Sequence, residues 1–171
     1  MDSKEVKQLA ALEQRWLRKQ HRIVKDRATA YEEAGVYAAW RDIFQQYASL
    51  ARHNMEALKR AIYLAWTEYS RSPLLSGVKD LDEKTVREIL AIANELAKTN
   101  RLDGELQWML AYYYLVEPQY LERFADLKHL KRLSRKEALQ YRQACVKCSF
   151  RGRGHMGQYW RSKQAIVRLW P

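Results

Sequence analysis

The apolar positions of the first seventy residues recur at helical spacing. Val6, Leu9 and Leu12 are three residues apart, with Lys, Gln and Ala between them, which is the pattern of an amphipathic helix. No glycine precedes Gly35 and no proline precedes Pro73, so little in this stretch would end a helix. We therefore expect it to be almost entirely helical.

A second apolar stripe predicts one long helix between Tyr37 and Tyr69. Its break from the preceding helix has two alternatives: Thr29 and Glu32 have the spacing of a capping box, and Gly35 is suited to a helix C-terminus or a kink. Met55 fills the one gap in the stripe, whose other members are Tyr37, Trp40, Phe44, Tyr47, Ala51, Leu58, Ile62, Trp66 and Tyr69.

Four further helices are predicted along the rest of the chain. Asp80–Asp82 supplies an N-cap for the third helix and Asp103 for the fourth. Pro118 is placed as the first residue of the fifth, and Ser134 with Glu137 forms a capping box for the sixth. The fourth helix is apolar around most of its circumference, so we expect it near the centre of the fold.

Six helices joined by short loops predict an all-α, single-domain antiparallel bundle over residues 1–147. The composition changes at residue 148, because Gly152, Gly154 and Gly157 fall within six residues. Helix is not expected there. Residues 148–171 are therefore predicted to form a basic, glycine-containing C-terminal tail.

Composition indicates a cytoplasmic protein. The longest apolar run, Trp108 to Val116, is nine residues long, far short of the roughly 20 needed to span a bilayer. The N-terminus lacks the pattern of a secretory signal. The two cysteines are too few for a disulfide framework, which agrees with a reducing compartment.

Positive charge is concentrated in the last third of the chain. The formal net charge is +11, yet residues 1–120 contain 18 Lys or Arg against 17 Asp or Glu, and residues 121–171 contain 13 against three. Such asymmetry bears on binding partners rather than on fold.

This basic segment predicts a non-enzymatic protein that binds single-stranded RNA or DNA. Cationic side chains displace the counterions condensed on phosphates, and aromatic rings stack on unpaired bases. We expect Tyr159 and Trp160 to stack, and the residues expected to contact phosphate are Arg142, Lys147, Arg151, Arg153, Arg161 and Lys163.

Two other functions remain as alternatives. The first is a helical interaction module whose basic tail binds an acidic protein or a second copy of the chain. The second is a helical nuclease in which Arg123 holds a phosphate and His129 transfers a proton. A similarly spaced pair occurs at Arg15 and His21. Whether the protein is an enzyme stays open.

No metal or cofactor is predicted. Cys145, Cys148 and His155 resemble the first three ligands of a zinc knuckle, but the spacing before His155 is too long and Trp160 stands where a fourth ligand would be. The pairs His53-x-x-Glu56 and Asp126-x-x-His129 have the spacing of metal sites in helical bundles. Neighbouring cations indicate ordinary ion pairs instead.

Overall fold

The computed structural model describes residues 2–141 and 149–167, and every regular element in these ranges is a helix. The all-α, single-domain prediction is confirmed, although the described part of the chain contains ten helices rather than six. These are α1 (Asp2–Arg22), α2 (Arg27–Glu33), α3 (Val36–Leu50), α4 (Met55–Ser70), α5 (Pro73–Ser76), α6 (Glu83–Lys98), α7 (Gly104–Val116), α8 (Gln119–Glu122), α9 (Lys128–Leu139) and α10 (Gly154–Val167).

The stripe from Tyr37 to Tyr69 belongs to two helices, so the prediction of one long helix is wrong. The chain leaves α3 at Leu50 and enters α4 at Met55, where the side chain of Asn54 accepts a hydrogen bond from the backbone N–H of Ala57. Asparagine is a preferred N-cap because it satisfies an unpaired N–H of the first turn. The apolar spacing continues across this turn, which is why the stripe alone conceals it.

Several predicted helix ends are confirmed. Asp82 caps α6 by accepting from Thr85 N–H, and Asp103 caps α7 by accepting from Leu106 N–H. Gly35 separates α2 from α3 with a φ of 71°. Thr29, by contrast, lies inside α2, which begins at Arg27, so it does not form the predicted capping box.

The start of α9 is set by another helix. Asn94 of α6 accepts hydrogen bonds at 3.0 Å from the backbone N–H groups of His129 and Leu130, which replaces a local N-cap. The predicted start at Ser134 is wrong, because Ser134 lies buried within α9. The helix predicted to begin at Pro118 is a single short turn, since α8 runs only from Gln119 to Glu122.

The segment after residue 148 contains a helix that packs into the core, so the expectation of a non-helical tail is wrong. Helix α10 lies against α1 and α4, and its Trp160 is completely buried. Two glycines permit this packing. Gly154 has a φ of +57°, and a Cβ there would collide with the carboxylate of Glu13; a Cβ at Gly157 would collide with the carbonyl of Phe150.

One core runs through the described helices, and α4 and α7 contribute heavily to it. Leu106, Met109, Leu110 and Tyr113 are fully buried, as expected for the apolar fourth helix of the sequence, although Leu115 at its end is exposed. None of the described helices is both long enough and apolar enough to cross a membrane.

Candidate nucleic-acid interface

The structure describes four of the six residues predicted to contact phosphate, and three of these four lie at or near the surface. Arg151 and Arg161 are exposed, and Lys163 is half-buried. Lys163 lies with its Nζ 5.4 Å from the ring centroid of Tyr159. Arg142 and Lys147 lie outside the described residues. Three of the predicted cations are thus placed at or near the surface, where a polyanion has access to them.

The two aromatic residues predicted to stack on bases are core residues. Trp160 is fully buried, and its ring centroid lies 4.4 Å from that of Trp108 and 5.0 Å from that of Tyr112. Tyr159 is 8% exposed, and its hydroxyl donates to the Tyr112 hydroxyl at 2.8 Å. Because protein covers these rings, they cannot stack on bases as the sequence predicted. Burying large aromatic surface is sufficient reason for both residues.

Arg153 is also taken up inside the protein. Its guanidinium donates to the carboxylate of Glu56 and, at 2.6 Å, to that of Glu105, and it lies over the ring of Phe150. Burial acts to lower the pKa of Arg153, but the hydrogen bonds and charges of Glu105 and Glu56 outweigh it and raise that pKa. Two carboxylates already bind this guanidinium, so it is not available to contact phosphate.

Arg153 belongs to a buried ion network that also contains Arg60 and Glu13. Arg60 donates to Glu13 at 2.6 Å and to Glu56 at 2.8 Å. Burial raises the pKa of Glu13, whereas Arg60 and the hydrogen bonds that Glu13 accepts act in the opposite direction. Lys59 extends the network, since its Nζ lies 2.5 Å from Asp103. These cations therefore balance internal carboxylates and do not contribute to a binding surface.

Helix α9 carries three exposed cations without carboxylate partners among the described residues. Lys128, Arg132 and Lys136 are exposed, and the structure shows no side-chain hydrogen bond or ion pair between them and any described residue. They are spaced i, i+4, i+8, so they share one helix face and follow one another at about 6 Å along the axis. We call these three residues the α9 stripe. Its charge is uncompensated and directed to solvent.

Other packing on α9 fixes the orientation of the α9 stripe. Leu130 and Ser134 are buried on the opposite face, where α9 packs on α6 and α7. Arg135 donates to the Tyr114 hydroxyl at 2.9 Å and lies 2.5 Å from Glu122. The packed face of α9 therefore fixes the direction of the α9 stripe. Its three residues take part neither in this packing nor in these ion pairs.

The far end of α9 lies near the cations of α10. Tyr141, just after α9, has its ring centroid 5.8 Å from that of Tyr112. Lys163 of α10 has its Nζ 5.9 Å from the centroid of the same ring. Tyr112 thus lies between Tyr141, which follows α9, and Lys163 of α10.

The α9 stripe lies within the basic segment 121–171, but its residues were not among those predicted to contact phosphate. The information was present, because Lys128, Arg132 and Lys136 are four residues apart and such spacing places side chains on one helix face. A correct start for α9 was needed to use it.

The predicted nuclease pairs are not assembled. Arg123 lies over the rings of Tyr69, Tyr120 and Phe124, and no hydrogen bond joins it to His129 within the described part of the chain. Arg15 lines a groove between α1 and α3, whereas His21 lines a different pocket.

The metal-like motifs are explained by other contacts. Glu56 pairs with Arg60 and Arg153, and Asp126 lies 3.9 Å from Arg87, so both carboxylates serve ion pairs. Cys145 and Cys148 lie outside the described residues. Over the described ranges, no three His, Cys, Asp or Glu side chains cluster in a way that could hold a metal ion.

No family model, curated protein or solved structure matches this chain. Its function is therefore inferred from its own surface.

Proposed function

We propose that the protein binds the phosphate backbone of nucleic acid through a basic surface formed by α9 and α10. The observation that supports this most strongly is the α9 stripe, in which three exposed cations share one helix face without a carboxylate partner among the described residues. Arg151, Arg161 and Lys163 extend the surface. Cations in such an arrangement release the counterions condensed on a polyanion, which favours binding.

The burial of Tyr159 and Trp160 changes the expected mode of binding. Stacking on unpaired bases would favour single strands, but the rings predicted to stack lie in the core. Phosphate contacts alone carry no sequence information. The protein should therefore bind single-stranded and double-stranded nucleic acid with little sequence preference and with affinities that differ little.

The proposal is tested by removing the charge of the α9 stripe. The triple variant K128Q/R132Q/K136Q keeps three polar, helix-compatible side chains and should bind a fluorescent oligonucleotide much more weakly in an anisotropy titration. The matched control K4Q/R18Q/K25Q removes two lysines and one arginine, all exposed, in and just after α1. Equal affinity of the two triple variants would mean that binding follows net charge alone and not the α9 stripe.

An acidic protein partner is the second candidate, and the observation that favours it is Leu139. This side chain is 87% exposed at the end of α9, three residues after Lys136 and on the adjoining surface. An exposed apolar side chain bordered by cations suits a partner with an acidic, partly apolar surface. Nucleic-acid binding that survives in L139Q, with unchanged elution in size-exclusion chromatography, would favour the first candidate over this one and over self-association.

A further inference from the structure

A polar pocket lies where the C-terminal end of α1, the end of α4, α5 and α10 meet. Its volume is about 210 Å³, smaller than the sites of drug-sized ligands. We call it the Arg71 pocket. Its lining includes His21, Arg71, His155, Gln158 and Tyr159.

The lining of the Arg71 pocket is cationic and rich in hydrogen-bond donors. Arg71 and His21 lie at its exposed edge, and Gln158 of α10 adds an amide. The hydroxyl of Ser162 is not an available donor, because it donates to the Tyr159 carbonyl at 2.7 Å. None of the described residues that line it is a carboxylate. The pocket therefore offers positive charge and donors without an internal anion to occupy them.

Arg71 is held in place without being neutralised. Its guanidinium carbon lies 5.1 Å from the ring centroid of Tyr159, and Tyr159 is fixed in turn by its hydrogen bond to Tyr112. No described carboxylate forms an ion pair with Arg71. This contrasts with Arg60 and Arg153, each of which pairs with two carboxylates. Stacking on an aromatic face orients a guanidinium while leaving its N–H donors available.

The floor of the pocket is a histidine in one fixed tautomer. Nε2 of His155 lies 3.3 Å from the carbonyl oxygen of Ser76, and Nδ1 lies 2.5 Å from the hydroxyl of Tyr63. A carbonyl only accepts, so Nε2 carries the proton, and Nδ1 of the neutral ring accepts from Tyr63. Burial, followed by the positive charge of Arg71, lowers the pKa of His155 to about 4. The floor is thus neutral and lies in a positive field.

We propose that the Arg71 pocket binds a phosphate group, with the guanidinium of Arg71 as its principal contact and His21 and Gln158 as further donors. The planar fork of an arginine matches two oxygens of a phosphate. The pocket has room for a group of that size, and its lining supplies cationic and neutral donors on several sides. This site is separate from the α9 stripe, and it does not depend on the function proposed above.

A phosphate group can come from two sources, a free small phosphate or the terminal phosphate of a nucleic-acid strand. Inorganic phosphate tests the first in a calorimetric titration, with chloride at equal ionic strength as the reference. An oligonucleotide carrying a 5′-phosphate, compared with the same strand ending in a hydroxyl, tests the second. The site binds the free ion if phosphate gives a saturable signal, and it binds strand ends if the phosphorylated strand binds more tightly.

Arg71 is tested by R71Q, with R22Q as a matched control, because Arg22 is an exposed arginine beside His21 that does not line the pocket. R71Q should weaken phosphate binding by about tenfold or more, as expected for loss of a charge-assisted contact, while R22Q should change it by less than about twofold. If R71Q fails to fold, H21Q takes its place, since His21 is exposed at the end of α1, and a loss of phosphate binding is again expected.

Two results would overturn the proposal. One is phosphate that gives no more signal than chloride, together with equal binding of the two oligonucleotides. The other is equal weakening by R71Q and R22Q, which would show only a nonspecific response to charge. Loss of strand binding in K128Q/R132Q/K136Q with phosphate binding retained would separate this site from the basic surface of α9 and α10.

Discussion

At the scale of single residues, His155 couples the fold to pH. The folded protein holds it neutral, with a pKa lowered from 6.5 to about 4 by burial first and by Arg71 next. The unfolded chain therefore binds a proton between these two values that the folded protein does not bind. The stability that depends on neutral His155 is complete above pH 6.5 and is lost as the pH falls toward 4.

This predicts that the pH dependence of stability decreases in H155Q. Between pH 7 and pH 4, the free energy of unfolding of the natural protein should lose up to about 3 kcal/mol through His155, at about 1.4 kcal/mol per pH unit. The variant lacks this proton-binding site. As the pH falls from 7 to 4, the difference in unfolding free energy between H155Q and the natural protein should therefore shift in favour of the variant by about the same amount. Urea denaturation at several pH values measures it. Parallel stability curves for the two proteins would contradict the assignment of the proton.

Arg151 and Arg153 are two residues apart and have different predicted roles. Arg151 is exposed, so R151Q should lower the salt dependence of nucleic-acid binding by about 0.7 in the log–log slope and leave the melting temperature unchanged. Arg153 is bound by Glu56 and Glu105, so R153Q should leave that slope unchanged. It should destabilise the fold instead, because two half-buried carboxylates each lose one of their two cationic partners. The same effect from both variants would refute this distinction.

At the scale of elements, α10 is part of the core. Its Met156 and Trp160 are completely buried, and the backbone N–H of His155 near its start donates to Glu13 of α1 at 2.6 Å. The chain thus closes its N-terminal helix against its last described helix. An element with such contacts is expected to unfold together with the rest of the domain.

Truncation after residue 147 should therefore cost the protein its cooperative fold. The sequence alone predicts a bundle that ends at residue 147, whereas the burial of α10 predicts loss of the thermal transition and of much of the far-ultraviolet helical signal on truncation. The milder variant W160A should remain folded at low temperature but lose about 3 to 5 kcal/mol of stability, the usual cost of such a cavity. A truncated protein that melts at the temperature of the full chain would show that α10 is dispensable.

Helix boundaries could be predicted wherever the capping group is local in sequence. Asp82 and Asp103 each cap a residue three positions later, so the sequence shows both partners together. The cap of α9 comes from Asn94, more than thirty residues away. No local pattern indicates that contact, and Ser134 was therefore mistaken for a helix start.

The candidate site was predictable in charge but not in geometry. The basic C-terminal third of the chain is evident from composition, yet which cations remain exposed depends on tertiary packing. Gly154 and Gly157 resemble helix-breaking residues in the sequence, but in the fold they allow Glu13 and the Phe150 carbonyl to approach the backbone. That approach positions Arg153 and Trp160 inside the protein.

At the scale of the whole molecule, the buried cations differ from those of the α9 stripe in having carboxylate partners. The buried network of Glu13, Arg60, Glu56 and Arg153 balances its own charges, while the α9 stripe does not. The net charge of +11 therefore acts outward, where it attracts polyanions and makes their binding depend on ionic strength.

The salt dependence of binding to a single-stranded oligonucleotide tests this account most directly. If the α9 stripe, Arg151, Arg161 and Lys163 each contact one phosphate, the logarithm of the association constant should fall with the logarithm of salt concentration with a slope of about 4. The slope for K128Q/R132Q/K136Q should fall to about 2, and that for K4Q/R18Q/K25Q should stay near 4. Absence of binding at low salt, or the same slope in both triple variants, would contradict a nucleic-acid interface on α9 and α10.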